Sequence, residues 1–249
     1  MPCIFLGRLV SICIALVFLM LGCASTGPQQ PVAKCPDIAG TGQLNVLTLN
    51  LLYDAPAAVR QKAWTDIAQF AVTYNVHVLL LQEAVLTDID RIQEILGTSD
   101  SARDLQQVLN ERSAEPYELR VAWETGIPLV LTTANAILSR CDITRHFAMF
   151  LPIESEEAFE GIELKITRNV QVAQLSLPGY GTLRIYNTHL CAACSVDSLQ
   201  RQVEAVVNAV QRVEGRSAGS HAVLGGDLNL DRANGAAEQL VYEIITRAG

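Results

Sequence analysis

Polar side chains that could bind a cation, bind a phosphate or transfer a proton stand at the ends of four apolar segments of this sequence. In chain order they are Asn50, Glu83, the pair Asn187 and His189, and the pair Asp227 and Asn229. Side chains two residues apart in an extended strand point in the same direction, so we expect the members of each pair to converge. If the four segments are strands that end at one sheet edge, these residues form one active site.

The chemistry that suits this set is the hydrolysis of a phosphate ester. That reaction requires neutralised phosphoryl oxygens, an aligned water and a stabilised leaving oxygen. Glu83 offers the oxygen ligands that hard divalent cations prefer, and His189 could hydrogen-bond a phosphoryl oxygen or protonate the leaving group. Each residue alone also has an ordinary explanation: an exposed strand end, a core histidine, or an Asx turn at Asp227 to Asn229. Their combination favours catalysis.

The elements that must position these residues follow a mixed α/β pattern. A strand, the helix Ala57–Tyr74 and a strand ending at Glu83 predict a parallel pair with a crossover helix, and Pro178–Gly181 predicts the turn of an antiparallel hairpin. Helices are also predicted in Asp88–Asn110 (two pieces), Ser195–Val213 and Ala236–Arg247. Further strands are predicted at Glu118–Ala122, Pro128–Leu131, Ala134–Leu138, Ile143–Phe150, Asn169–Leu177, Leu183–His189 and His221–Leu224. These elements indicate a layered α/β fold.

Five short motifs occur in an order that resembles a known enzyme superfamily. They are Thr48–Asn50, Gln82–Glu83, Asn135–Arg140, Asn187–Leu190 and Gly226–Asn229. In this order and spacing they are similar to the endonuclease/exonuclease/phosphatase superfamily, which includes DNase I, inositol-phosphate phosphatases and bacterial sphingomyelinases. The resemblance covers about Leu44 to Gly249. It implies a layered α/β sandwich of two mixed β-sheets flanked by helices.

The resemblance also implies a role for each matching residue and a cofactor, Mg²⁺ or Mn²⁺. Glu83 is expected to bind the metal and Asn50 to hold the metal or the phosphate. The expected catalytic residues are Asn187, His189, Asp227 and Asn229. Arg168 is expected at the start of a strand, where it would contact the substrate phosphate.

One part of the superfamily's pattern is not found in the sequence. The superfamily ends in a strand that carries an Asp-His pair, whereas the segment 230–249 contains no histidine. We therefore expect the domain 43–249 to lack its C-terminal strand or strands and to be weakly active or inactive. A truncated product, a divergent enzyme that uses another residue, and a non-catalytic binding protein all remain open.

The N-terminal segment resembles a bacterial lipoprotein signal. Arg8 is its only charge, Leu9–Leu21 is apolar, and Gly22 precedes Cys23. We expect residues 1–22 to be a signal peptide, Cys23 to be lipidated, and 23–42 to be a flexible tether. A membrane anchor or ordinary secretion are the alternatives. Each alternative predicts an exported protein, and the lipoprotein signal specifically predicts lipid attachment to the bacterial cell envelope, at the outer-membrane or periplasmic face.

The cysteines of an exported domain are candidates for disulfides. Cys191 and Cys194 are three residues apart after the strand that ends at His189, and we expect one or both to form a structural disulfide. The sequence leaves open whether they pair with each other or with Cys35 or Cys141.

Composition narrows the class of substrate. The 249 residues carry a net charge of −8 and only three lysines, which disfavours a broad nucleic-acid surface. We expect a phosphodiesterase that acts on phospholipid head groups or small phosphodiesters. An extracellular nuclease and a non-catalytic surface lipoprotein that binds a ligand or partner are the alternatives.

Overall fold

Ten strands and four helices follow one another in the part of the chain that the computed structural model describes, which is residues 38, 42–52, 57–87, 89–127, 131–159, 162–177, 179–192, 194–215, 221–230, 235, 239 and 244. The strands are β1 (Val46–Asn50), β2 (Val78–Leu86), β3 (Glu118–Ile127), β4 (Leu131–Ser139), β5 (Ile143–Phe150), β6 (Glu154–Phe159), β7 (Ile162–Ile166), β8 (Asn169–Leu177), β9 (Gly181–His189) and β10 (His221–Asp227). The helices are α1 (Ala57–Thr73), α2 (Asp90–Leu96), α3 (Ser101–Arg112) and α4 (Val196–Glu214).

The larger strands form two mixed sheets. The first has the order β1-β2-β4-β3, with β1 parallel to β2 and the other neighbours antiparallel. The second has the order β10-β9-β8-β5, with β10 parallel to β9 and the rest antiparallel. Strands β6 and β7 form a separate antiparallel hairpin. The expected pair of mixed sheets is confirmed.

Helices cover the outer faces of the two sheets. Trp64 and Ala68 of α1 and Leu105 of α3 share a core with Leu79 and Leu81 of β2. On the other side, Leu199, Val203 and Val206 of α4 pack with Val172 of β8 and Tyr186 of β9. A third core lies between the sheets. Because β2 is covered on both faces, nearly every residue along it is buried, which explains its continuous apolar run.

The layer between the sheets is apolar at one end and polar at the other. Its apolar part contains Val78, Leu80, Ile137, Leu175 and Ile185. Because side chains alternate along a strand, the residues two positions further along β2 and β9 face the same layer. These residues are Gln82 and Asn187, and both are almost completely buried. The polar end of this layer is where the strand tips that carry the predicted site meet.

Most of the predicted elements are confirmed. Strands β5 and β8 have the predicted bounds, β1-α1-β2 is a parallel crossover unit, and β8 and β9 form the predicted hairpin. The predicted strand Glu118–Ala122 is the first half of a longer strand, because β3 continues to Ile127 through a register shift after Trp123. Of the predicted strand Pro128–Leu131, only Leu131 is described, and it begins β4. The hairpin β6-β7 was not predicted.

Several predictions fall on residues outside those described. They concern the signal peptide 1–22 with Cys23, nearly all of the tether 23–42, Cys35, and the helix Ala236–Arg247 apart from residues 239 and 244. Within the described ranges, no helix combines the length and the apolar character needed to cross a bilayer.

Candidate active site

The two sheets bring Asn50, Glu83 and Asp227 together. The Asn50 side-chain nitrogen Nδ2 donates to Glu83 Oε1 at 3.0 Å and to Asp227 Oδ2 at 2.9 Å. Asn50 and Glu83 come from the first sheet and Asp227 from the second, so the site lies across the ends of two sheets and not at the single sheet edge that the sequence suggested. One amide thus holds two carboxylates close to a common point.

The backbone of the site adopts conformations that non-glycine residues rarely take. Four described non-glycine residues have positive φ, and three of them belong to this region: Leu52 (50°), Glu83 (55°) and Asn229 (49°). Strict alternation along β2 would turn Glu83 toward the helix-covered face, since Leu79 and Leu81 point there. The register shift between Leu81 and Ala84 interrupts that alternation and allows the Glu83 carboxylate to reach Asn50. Such strain is characteristic of functional sites.

His189 lies beside the two carboxylates at the end of β9. Its Nε2 atom is 3.9 Å from both Glu83 Oε1 and Asp227 Oδ2, beyond hydrogen-bond range, and the side chain is 2% exposed. Burial and the neighbouring Arg168 guanidinium lower the pKa of His189 to about 3, against the opposing effect of Asp227. The imidazole is therefore neutral at physiological pH.

The contact on the other ring nitrogen determines where the imidazole proton lies. Arg168 Nη1 is 2.8 Å from His189 Nδ1. A guanidinium can only donate, so Nδ1 accepts and the proton of the neutral ring is on Nε2. His189 consequently presents an N–H donor on the side that faces Glu83 and Asp227.

Arg168 lies behind His189, and its expected contact with the substrate phosphate stays a prediction. Arg168 precedes β8 and is only 6% exposed, and its guanidinium points at His189 Nδ1 and at Glu124, with Nη1 3.4 Å from Oε2. It belongs to the two-residue connection between β7, which ends at Ile166, and β8, which begins at Asn169.

Glu124 is the residue that the sequence analysis missed. Its side chain is fully buried in β3, and Asn135 Nδ2 donates to its Oε1 at 2.8 Å. Burial raises the pKa of Glu124 to about 7, although Arg168 and the surrounding hydrogen bonds oppose the shift. Its neighbour Trp123 is 43% exposed, whereas from hydrophobicity alone the tryptophan would be expected inside and the glutamate outside. The sequence offered one indication of this burial: side chains alternate along a strand, so Glu124 faces the same side of β3 as the apolar residue Ala122.

Asn187 lies buried below the site, and the catalytic role expected for it stays a prediction. Its Oδ1 accepts from Gln82 Nε2 at 2.7 Å. Its Nδ2 lies 3.0 Å from the Leu81 carbonyl, 3.1 Å from the Ala136 carbonyl and 3.2 Å from Gln171 Oε1. The residue is 0% exposed, because it lies two positions before the strand end, so the protein itself occupies its hydrogen-bonding groups. Asn187 joins the two sheets and does not reach the surface.

Asn50 and Asn229 also differ from the expected arrangement. The Asn50 oxygen accepts from the Leu52 amide at 2.9 Å, so the residue presents its nitrogen to the carboxylates and is not an oxygen ligand in this arrangement. Strand β10 ends at Asp227, and Asn229 does not continue the alternation. Its backbone N–H donates to Asp227 Oδ1 at 2.9 Å in an Asx turn, and its Nδ2 donates to the Leu190 carbonyl at 2.7 Å. A role for Asn229 in binding phosphate stays a prediction.

Cys191 and Cys194 form a disulfide in the loop that follows His189, and Cys141 is also disulfide-bonded. The Leu190 N–H donates to the Asp227 carbonyl and ties the loop to the site, and the Cys191 N–H donates to the Gln202 side-chain oxygen and ties it to α4. The disulfide therefore restrains the segment through which β9 passes into α4.

The donors at the site fit a hard divalent cation. Glu83 and Asp227 supply carboxylate oxygens from two different sheets and retain 19% and 29% exposure, so an ion could reach them. No group of three or more His, Cys, Asp or Glu side chains with metal-binding spacing occurs among the described residues. The remaining ligands of such an ion would be water and substrate oxygens, as is usual for Mg²⁺.

Comparisons with known proteins agree with this architecture. No protein-family model and no curated protein matches the sequence. Among solved structures, an endonuclease/exonuclease/phosphatase family protein from Leptotrichia buccalis matches with a TM-score of 0.57 and 16% identity, over 83% of this chain and 73% of that one. Sphingomyelinase C from Streptomyces griseocarneus matches with a TM-score of 0.52 and 16% identity, over 81% and 69%.

A TDP2 from Caenorhabditis elegans matches with a TM-score of 0.50 and 19% identity, over 76% of this chain, which spans only 48% of that protein's length. At these identities the matches establish the fold. The chain has the α/β sandwich fold of DNase I-like endonuclease/exonuclease/phosphatase proteins, as the sequence motifs indicated.

Proposed function

We propose that this protein is a divalent-metal-dependent phosphoester hydrolase that acts on phosphodiesters. The observation that carries the proposal is the Asn50 amide, which holds the Glu83 and Asp227 carboxylates beside the Nε2–H of a neutral histidine. A cation-binding pair next to a buried hydrogen-bond donor is what a phosphoryl group needs as negative charge develops on its oxygens.

Glu83 and Asp227 are the residues that would hold Mg²⁺ or Mn²⁺. Such an ion would supply positive charge to the phosphoryl oxygens. Asp227 is restrained on both oxygens, by Asn50 on Oδ2 and by the Asn229 backbone on Oδ1, so its orientation is set before substrate arrives. The Nε2–H of His189 would donate to a phosphoryl oxygen or to the leaving oxygen, since neither carboxylate engages it.

A small or lipid-derived phosphodiester suits the chain better than nucleic acid. The net charge of −8 opposes binding of a long polyanion, because nucleic-acid affinity depends on many cationic contacts. One solved structure with this fold is a sphingomyelinase, which supports a phospholipid head group as the substrate class.

The test is an assay of the purified chain on bis-p-nitrophenyl phosphate, on sphingomyelin vesicles and on plasmid DNA, with Mg²⁺, with Mn²⁺ and with EDTA. We expect His189→Ala and Glu83→Gln to lower kcat by about 10²- to 10⁴-fold, the usual contribution of a positioned catalytic group. The matched controls are His221→Ala, an exposed histidine at the start of β10, and Glu94→Gln, an exposed glutamate of α2.

The outcomes separate the alternatives. Metal-dependent turnover that EDTA and both active-site variants abolish would support the proposal. The preferred substrate would then show whether the protein resembles the phospholipid-directed or the nuclease members of the superfamily. Cleavage of DNA alone would indicate a nuclease. Calorimetric binding of Mg²⁺ that Glu83→Gln removes, without turnover of any substrate, would indicate a non-catalytic binding protein.

We further propose that the protein is an exported lipoprotein attached to the cell envelope through Cys23. The support is the apolar stretch Leu9–Leu21 followed by Gly22 and Cys23. Intact-mass analysis of membrane fractions should show a diacylglyceryl-modified chain that begins at Cys23, and the modification should disappear in Cys23→Ser but persist in Cys13→Ser. An unmodified, soluble exported form would contradict this localisation.

A further inference from the structure

Glu124 is a buried carboxyl group for which the proposed chemistry so far has no use. It is 8% exposed as a residue, and its side chain is fully buried. Burying a carboxylate is unfavourable unless hydrogen bonds and an opposite charge compensate. Two groups do so here: Asn135 Nδ2, 2.8 Å from Oε1, and Arg168 Nη1, 3.4 Å from Oε2.

The same arginine nitrogen also contacts the site histidine. Arg168 Nη1 lies 2.8 Å from His189 Nδ1, and Glu124 Oε2 lies 3.8 Å from that ring nitrogen. The three groups form a compact triangle between β3 and the end of β9, in which Nη1 of Arg168 contacts both the ring nitrogen and the carboxylate. Burial of the Arg168 guanidinium against a neutral imidazole would be unfavourable without a nearby anion to compensate its charge.

The carboxyl group is itself fixed by a second layer of amides. Asn135 Nδ2 also lies 3.1 Å from Asn169 Oδ1, and Asn169 Nδ2 donates to the Trp123 carbonyl at 3.0 Å. These contacts connect β4 and β8 to β3 at Glu124 and at the residue before it. The position of the Glu124 oxygens is thus set by both sheets.

We propose that Glu124 is a positioning residue that holds Arg168 against Nδ1 of His189 and so keeps the imidazole proton on Nε2. For the reaction, which rests on the proposed function, this makes His189 a hydrogen-bond donor to a phosphoryl or leaving oxygen. It is then not the base that removes a proton from the attacking water, because its only basic nitrogen already accepts from Arg168.

The tautomer can be observed directly by nuclear magnetic resonance. Two-dimensional spectra of protein with ¹⁵N-labelled histidine distinguish a protonated from an unprotonated ring nitrogen, and His189→Ala assigns the signal among the four histidines. At mildly alkaline pH, where Glu124 is ionised, we expect Nε2–H and an accepting Nδ1 in the wild type. Arg168→Met and Glu124→Gln should let the ring populate both tautomers, whereas Arg168→Lys should restore the Nε2–H form.

A matched control lies in the same strand. Glu118 of β3 pairs with Arg120 and is remote from His189 in sequence and contacts, so Glu118→Gln should leave the spectrum unchanged. In the assay, Glu124→Gln should lower kcat by about 10- to 100-fold with little change in KM, the loss expected when one charge-assisted hydrogen bond is weakened. A circular-dichroism melt of each variant separates this effect from loss of the fold.

A proton on Nδ1 in the wild type, or an unchanged tautomer in either Glu124→Gln or Arg168→Met, would overturn the inference. The spectrum decides this even if no substrate is turned over. Absence of turnover with the expected tautomer would contradict the proposed function alone, and loss of turnover in Glu124→Gln with an unchanged tautomer would contradict the positioning role.

Discussion

Replacing Asn187 with alanine should destabilise the fold more than it affects any chemical step. The side chain is completely buried between the sheets, where its oxygen accepts from Gln82 and its nitrogen faces the carbonyls of Leu81 and Ala136 and the side-chain oxygen of Gln171. Alanine removes the common partner of all four groups. None of them can reach water without moving the two sheets apart.

The magnitude follows from the groups left behind. Each buried polar group that loses its partner costs about 1–3 kcal/mol. The two hydrogens of the Asn187 amide are shared among three acceptors, so the losses do not add fully, and we expect about 3–5 kcal/mol in total. With a urea m-value of about 2–3 kcal/mol/M, the midpoint of unfolding should fall by about 1–2.5 M.

Urea unfolding followed by circular dichroism and by fluorescence of Trp64 and Trp123 measures this change. The control is Asn208→Ala, an exposed asparagine of α4, for which we expect a change within about 0.5 kcal/mol. If Asn187→Ala kept the wild-type midpoint and lost only kcat, Asn187 would be catalytic, and the reasoning from its buried contacts would be refuted.

Three further predictions concern the remainder of the structure. Burial raises the pKa of Glu124 to about 7 from 4.5, so folding favours its protonated form. As pH rises from 4.5 through 7, the wild type should therefore lose about 3 kcal/mol of stability relative to Glu124→Gln. Urea unfolding of both proteins across that pH range measures this loss, and a constant difference in their unfolding free energies would contradict the raised pKa. Gly226→Ala should give insoluble or largely unfolded protein, since φ is +137° and a Cβ would overlap the backbone of Thr188 in β9, and soluble expression with a cooperative melt would show otherwise. Asp100→Ala should lower stability by about 1 kcal/mol, because the Asp100 side chain is the N-cap of α3 and accepts from the Arg103 N–H. Urea unfolding measures the change, with Asp66→Ala on the surface of α1 as the control, and equal midpoints for the two variants would count against a capping role.

The strands that are buried on both faces could be read directly from the sequence. A short, uninterrupted apolar run such as Val78–Leu81, with turn residues on either side, is typical of a strand that is buried on both faces. The hairpin β6-β7 was missed for the opposite reason. Its first strand, Glu154–Phe159, contains three acidic residues, and such composition resembles a solvated loop until pairing with β7 is known.

At the candidate site, the sequence predicted which strand ends meet but not how deep each side chain lies. The Glu83 and Asp227 side chains keep 19% and 29% exposure, whereas His189 is buried beside them and Asn187 lies deeper and bridges the sheets. Arg168 was correctly associated with the site, but its direction depends on the partner carboxyl group of Glu124. That partner is 44 residues away in the chain, and no local pattern connects the two.

Each sheet is encoded by its own contiguous stretch of chain. Strands β1 to β4 lie within residues 46–139, and β5, β8, β9 and β10 within 143–227, so the crossover between halves is the short connection 140–142. Asn50, Glu83 and Glu124 come from the first half, and Arg168, His189 and Asp227 from the second. Neither half alone therefore contains all of the side chains that form the candidate site. If the proposed function holds, a gene divided at this connection would make turnover a measure of complementation between two fragments, because hydrolysis would appear only when the halves reassociate.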